Sequence, residues 1–263
     1  YIIESISANT GKVLISSQSQ SSIYSIRSNE LTPFTDSFPT KSAFTTIFNE
    51  STYECEGRAI TVRTLQGVTK QTVALGTNST IIRFAENGSF ICVMTEDFSV
   101  FLFDISRRAP KLQYSTQFST SYDLFRVRNI SLSSGGFCIS ATVDYYDDNR
   151  WKPAPDLFLH SPQFDKTVAI PFDGRVPKEH KWDHEDPRFL CVQVIPYQND
   201  LESTLTGILI FPLFVADTLE VYRQTPLTID EKQHLCGVDV PNVLITDYQN
   251  APTFTVLPQF EGL

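Results

Sequence analysis

Methionine is almost missing from this chain: there is one, against 20 phenylalanines and 10 tyrosines in 263 residues. That bias leans towards sheet, because aromatic side chains suit a pleated, half-buried surface. Basic side chains are scarce as well, 21 Lys and Arg against 30 Asp and Glu, which leaves a formal net charge of −9 and a pI near 4.9. A nucleic-acid-binding surface needs clustered cations to neutralise phosphates, so that class has no support. No apolar run reaches the ~18 residues of a membrane span. The most apolar stretch, Gly207 to Val215 (GILIFPLFV), is interrupted by Pro212 and reads as a buried strand. The opening YIIESISANTGKV lacks a basic start followed by an apolar core, so it does not read as a signal peptide.

Catalytic signatures are missing too. There is no G-x-S-x-G elbow, no Gly-rich phosphate loop, and no Ser, His and Asp set at a hydrolase spacing. The four histidines, at 160, 180, 184 and 234, offer too few bases at motif positions. The expectation is a non-enzymatic protein with no cofactor. The five cysteines, Cys55, Cys92, Cys138, Cys191 and Cys236, are odd in number and mostly sit inside apolar runs such as SFICVM and GGFCISA. They read as free buried thiols in a reducing compartment. N-x-S/T matches at Asn49, Asn78, Asn87 and Asn129 would be glycan acceptors in a secreted protein, but a Ser/Thr-rich chain produces such matches by chance.

What is present is a succession of short strand-like runs punctuated by turn residues, grouped in units of roughly 40 to 50 residues, as propeller blades are. The clearest unit has strands at Ile81 to Phe84, Ser89 to Thr95, Ser99 to Asp104 and Lys111 to Ser115, with turns at Glu86-Asn87-Gly88 and Glu96-Asp97. The pattern predicts an all-β, WD40-like β-propeller, incomplete, with about five four-stranded blades plus a tail. The whole chain, 1–263, reads as one propeller segment with units at roughly 1–45, 46–78, 79–120, 121–175 and 176–236 and a terminal segment 237–263. A last strand is expected at Asn242 to Thr246. Because one blade cannot bury both faces of its sheet alone, the units must stack. Five units fall short of a seven-blade ring, so the segment reads as the latter part of a larger propeller. Expressed alone, it is expected to aggregate or dimerise through its open N-terminal edge.

Three segments carry a more specific signal. Val100 to Lys111 (VFLFDISRRAPK), His180 to Val192 (HKWDHEDPRFLCV) and Gly237 to Pro241 (GVDVP) resemble, in this order, the second WD40 propeller of the family of 140-kDa subunits of intraflagellar transport complex A. The middle segment is the most distinctive. Phe260 to Leu263 resemble the start of that family's connection to its helical repeats, and residues 1 to about 75 share only the blade spacing, so the resemblance runs over roughly the last two-thirds of the chain. It implies a non-enzymatic scaffold on the cytoplasmic side of the cilium or flagellum and at the ciliary base, serving retrograde transport and cilium assembly. The implied partners are the other complex A subunits and ciliary membrane-protein cargo adaptors, with no nucleic acid and no direct membrane span. The alternatives are a secreted or luminal glycosylated propeller that binds a ligand, and a propeller accompanying a hydrolase domain.

Residues for partner contact are sought among exposed aromatics and unpaired cations. Tyr145, Tyr146 and Trp151 lie in what reads as one loop with Pro153 and Pro155, and aromatics concentrate binding energy at interfaces. Arg107 and Arg108 follow a strand that should end at a propeller rim, where an anion or acidic peptide could dock. His180 and His184 have a zinc-like spacing on a helix, but Pro187 and the strand pattern argue against a helix. Trp182 should instead pack between blades and Asp183 cap a turn. Asp144 to Asn149 (DYYDDN) places carboxylates as a Ca²⁺ loop does, yet lacks the Gly and the distal Glu of that pattern. It reads as an acidic hairpin tip, partly neutralised by Arg150.

Overall fold

The computed structural model describes residues 5–17, 19–28, 30–42, 44–172, 174–184 and 186–196, together with the backbone of strands at 203–212, 219–223, 227–229, 234–238, 243–248 and 251–256. Among the described residues every regular element is a β-strand, apart from one 3₁₀ turn at Ser134–Gly136. The strands form antiparallel sheets that follow one another along the chain.

The first sheet holds β1 (Ser5–Asn9), β2 (Lys12–Ser16), β3 (Gln20–Arg27) and β4 (Glu30–Pro33), with a short β5 (Phe38–Pro39) paired to β3. The second runs β6 (Thr45–Phe48), β7 (Ser51–Glu56), β8 (Ala59–Thr64) and β9 (Thr69–Ala74). The third runs β10 (Ile81–Asn87), β11 (Phe90–Thr95), β12 (Ser99–Asp104) and β13 (Lys111–Gln117). The fourth is built from β14 (Phe125–Leu132), β15 (Ile139–Asp147), β16 (Arg150–Ser161) and β17 (Lys166–Pro171). The fifth orders β18 (Arg175–Trp182), β19 (Phe189–Pro196), β20 (Ser203–Pro212) and β21 (Leu219–Arg223), with β22 (Leu227–Ile229) also on β20. The last contains β23 (His234–Val238), β24 (Val243–Tyr248) and β25 (Ala251–Val256). Five sheets of four or five strands and a three-stranded one define the incomplete WD40-like propeller that the spacing predicts. The Gly207 to Val215 run supplies the end of β20 as far as Pro212, and Leu213 to Val215 lie outside the described residues. So do Asn242 and the segment Phe260 to Leu263.

Two compact units divide the chain, Tyr1–Thr116 and Gln117–Leu263. Within each unit burial follows strand order. Inner strands such as β11 (FICVMT) and β12 (SVFLFD) are buried on both faces, which is why they read as near-continuous apolar runs. The outermost strands β9 and β13 are largely exposed and β17 is mostly half-buried; they carry Lys70, Lys111 and Lys166, charges that discourage pairing with another chain. Tight turns have the backbone such hairpins require. Thr10 and Gly11, between β1 and β2, both take positive φ (48° and 72°), a twist that matches the flanking strands.

The cores lie between neighbouring sheets. In the first unit Cys55, Ile60 and Val62 of the second sheet pack with Ile91, Val93, Phe101 and Phe103 of the third. In the second unit Leu157, Leu159 and Ile170 of the fourth sheet pack with Trp182, Leu190, Val192 and Val194 of the fifth. Stacking of this kind buries faces that an isolated sheet would leave wet.

Candidate protein-interaction surfaces

Residues 145 to 151 form the end of a long hairpin rather than a loop. Proline at 153 and 155 suggests an irregular segment, yet both lie within β16, and a register shift between Thr142 and Asp144 accommodates the strand opposite Pro153. Asp148 and Asn149 make a two-residue turn, both at positive φ (49° and 60°), and Tyr146 pairs directly with Trp151. Their rings meet edge to face at 5.4 Å. Arg126, on β14, lies over the Trp151 ring at 4.7 Å and is itself held by Asp144, whose Oδ2 accepts its guanidinium at 2.9 Å. Arg128 reaches Asp144 Oδ1 at 3.1 Å and donates to the Pro177 carbonyl at 2.8 Å.

Leu124, Tyr146, Trp151 and Arg126 are all exposed, so an aromatic surface with a cation stacked on it faces solvent. Arg126 and Leu124 were not legible as members of this group, because β14 and the residue just before it lie some twenty residues earlier. Tyr145 separates from the other two aromatics. One step along a strand turns a side chain to the other face, and there Tyr145 stacks on Tyr122 at 4.6 Å. Tyr122 in turn donates to Asp156 Oδ2 at 3.0 Å. Burial and the neighbouring Asp156 carboxylate push the Tyr122 hydroxyl well above the usual phenol range.

The acidic tip is neutralised within itself. Lys152 Nζ lies 2.6 Å from Asp147 Oδ2 and 2.7 Å from Asp148 Oδ2. That hydrogen bond holds the Asp147 carboxyl below its ordinary range, with Arg150 a lesser influence. Lys152 therefore carries the role the sequence suggests for Arg150.

Arg107 and Arg108 occupy the segment between β12 and β13. They line a pocket of about 720 Å³ between the ends of the second and third sheets, together with Phe48, Lys70, Gln71 and Ile105. Neither arginine makes a hydrogen bond or ion pair among the described residues.

His180 and His184 do not converge. His180 is fully buried on β18, whereas His184 is exposed beyond its end. Ser140 Oγ lies 2.7 Å from His180 Nδ1 and accepts Trp182 Nε1 at 3.0 Å, tying the fourth sheet to the fifth. Burial, with Lys181 and Arg128 nearby, lowers the His180 pKa to about 3, so the ring is neutral. Asp183 Oδ1 accepts the Asp186 amide at 2.8 Å and the Asp183 amide donates to the Phe189 carbonyl at 3.0 Å, closing the turn that leads into β19. Among the described residues no group of three metal-ligating side chains comes together.

Stacked antiparallel sheets that follow one another along the chain, with apolar seams between neighbours, define a β-propeller segment. The chain matches the crystal structure of the Myceliophteria thermophila Cps50 (Swd1) beta-propeller domain with a TM-score of 0.53 at 9% identity, covering 96% of this chain and 84% of that one. A chain of the crystal structure of the mitotic checkpoint complex matches with a TM-score of 0.47 at 9% identity, covering 97% and 90%. No curated protein sequence matches. The family model described as the IFT140 second beta-propeller matches residues 1–174, and the chain belongs to that family.

The matched span corrects the extent of the sequence resemblance. It includes the serine-rich opening, which reads as shared only in spacing, and the Val100 to Lys111 segment, while His180 to Val192 and Gly237 to Pro241 lie beyond it. Membership gives the function: a non-enzymatic scaffold propeller of an intraflagellar transport complex A subunit, making protein–protein contacts for retrograde transport and cilium assembly. The other complex A subunits are its partners, and the cytoplasmic side of the cilium and its base is its location. Among the described residues no helix is long and apolar enough to cross a membrane. A secreted, glycosylated propeller would call for a disulfide and for accessible sequons. Cys55, Cys92, Cys138 and Cys191 are free and buried; of the sequon asparagines Asn87 is buried, whereas Asn49 and Asn78 are exposed. Burial pushes the thiols up, that of Cys138 to about 12, which keeps them protonated and unreactive.

Proposed function

We propose that residues 1–263 serve as a single propeller segment that engages its partners through the β15–β16 hairpin, with Tyr146 and Trp151 as the anchoring side chains. The observation that carries this reading is the exposed Tyr146–Trp151 pair with Arg126 stacked on it. Aromatic and arginine anchors supply most of the energy at protein interfaces, and here both rings are already ordered before binding. Tyr145 supports the hairpin from its other face through the Tyr122 stack. Arg107 and Arg108 form a second contact, on the first unit. Cargo adaptors for ciliary membrane proteins are candidate occupants of either surface.

The test uses the tagged parent protein in ciliated cells, wild type against Tyr146→Ala/Trp151→Ala. Both side chains are exposed, so folding stability should move by only about 0.5 kcal/mol per substitution. Recovery of at least one complex A subunit or adaptor is expected to fall by about ten-fold or more, as loss of a hot-spot pair implies. Undiminished recovery of every co-purifying protein would overturn the hairpin as a contact site.

A further inference from the structure

The pocket beside Arg107 and Arg108 has a charge balance opposite to that of the molecule. Its lining carries three cations, Lys70, Arg107 and Arg108, and one anion, Glu50, in a chain whose net charge is −9. That single carboxylate is engaged elsewhere, with Lys12 Nζ 3.3 Å from Glu50 Oε1. Lys70 donates only to neutral oxygens, the Glu50 carbonyl at 3.2 Å and Ser51 Oγ at 2.8 Å. Asp104, just outside the lining, turns its carboxylate to the Ser106 amide at 2.8 Å. Among the described residues, therefore, no carboxylate neutralises the arginine pair.

A second, independent feature points the same way. Gln71 also lines the pocket, and its Nε2 is buried with no hydrogen-bond partner among the described residues. A buried donor left unpaired carries a desolvation cost that an acceptor from a ligand would relieve. Phe48, Tyr53 and Ile105 give the pocket an apolar wall. A volume of about 720 Å³ is far more than one small anion fills and suits a short stretch of extended chain.

We propose that this pocket, between the second and third sheets, binds an acidic peptide segment of a partner protein. A side-chain carboxylate lies in the fork of Arg107 and Arg108, a backbone carbonyl accepts from Gln71 Nε2, and a neighbouring apolar side chain rests on Phe48. Paired arginines match the planar, two-oxygen geometry of a carboxylate. A cationic site on a protein of net negative charge also steers an acidic segment towards it. The proposal rests on the scaffold reading and gives the chemistry of one of its partners.

The experiment titrates the purified full-length parent protein into a short fluorescein-labelled peptide of alternating glutamate and leucine, read by anisotropy at low salt. Saturable binding is expected, with no binding of the matching lysine–leucine peptide. Arg107→Ala/Arg108→Ala should weaken it by about ten-fold or more and Gln71→Leu by about three-fold. Tyr146→Ala/Trp151→Ala should leave it unchanged. Thermal unfolding of each variant confirms that the sheets are intact. Absence of saturable binding, or binding indifferent to the arginine pair, overturns the proposal. Displacement of the peptide by inorganic phosphate at concentrations where chloride has no effect also overturns it, in favour of a phosphate site. If the peptide fails to bind while the hairpin substitutions still release complex A subunits, the pocket is refuted and the scaffold stands.

Discussion

Between the first and second sheets the buried polar contacts run from hydroxyl to hydroxyl. Ser7 meets Thr46 at 2.8 Å and Thr45 donates to Ser16 at 2.7 Å, while Ser16 in turn meets Ser21 of its own sheet at 2.7 Å. Between the fourth and fifth sheets they run from ring to ring through one small side chain, His180 and Trp182 both bonded to Ser140. Each seam also has its apolar cluster, Leu14, Ile23, Phe38, Ile47 and Leu65 in the first case and the Trp182 cluster in the second. The two seams close by different chemistry. Hydroxyls spread the polar satisfaction over many weak, exchangeable contacts, whereas the second seam concentrates it on a serine that two aromatic rings share. The first seam should tolerate single changes, and the second should not.

The harshest way to break the contrast is Trp182→Ala. A large buried side chain is lost together with its bond to Ser140, and such truncations cost about 3–5 kcal/mol. Chemical denaturation should show that loss; a cost under 1 kcal/mol would mean the seam is not closed as described. The sharper test compares two serines. Ser140→Ala strands the His180 and Trp182 donors or acceptors in a dry seam, at roughly 2–4 kcal/mol, while Ser16→Ala leaves Thr45 its contact with Ser5 and Ser21 its contact with Thr40, at about 1 kcal/mol. Equal costs at the two positions would erase the difference between the seams.

Acid gives the smallest and most graded effect. Burial lowers the pKa of His180 to about 3 and that of His160 to about 4, from an ordinary 6.5, so both rings are neutral in the fold. Below pH 6.5 the unfolded chain takes up protons that the folded chain refuses. Stability from these rings is therefore complete above 6.5 and drains away as the pH falls towards the folded values of about 4 and about 3. Melting temperature followed from pH 7.5 to 4.5 should decline, and His180→Asn should flatten part of the decline. An unchanged slope in that variant would show that His180 is not held neutral.

The inner strands of the third sheet were legible because they are buried on both faces and read as apolar runs between turn residues. β1 and β6 were not, since their serines and threonines resemble a polar linker until the opposing hydroxyls are seen across the seam. β18 (RVPKEHKW) was hidden for a related reason: its histidine is buried only because Ser140, forty residues earlier, receives it. The hairpin shows the same limit at a surface. Its aromatics could be picked out by composition, but alternation sends Tyr145 to one face and Tyr146 to the other, and Arg126 arrives from a different strand. Gln71 gave no signal, because an unpaired amide becomes conspicuous only once its surroundings are dry.

The scaffold role itself is tested most directly by affinity purification of the tagged parent protein from ciliated cells, with mass spectrometry of everything that co-elutes. Recovery of the other complex A subunits in comparable amounts is the predicted result. Recovery of a glycosylated protein with secretory chaperones and no transport subunits would contradict it.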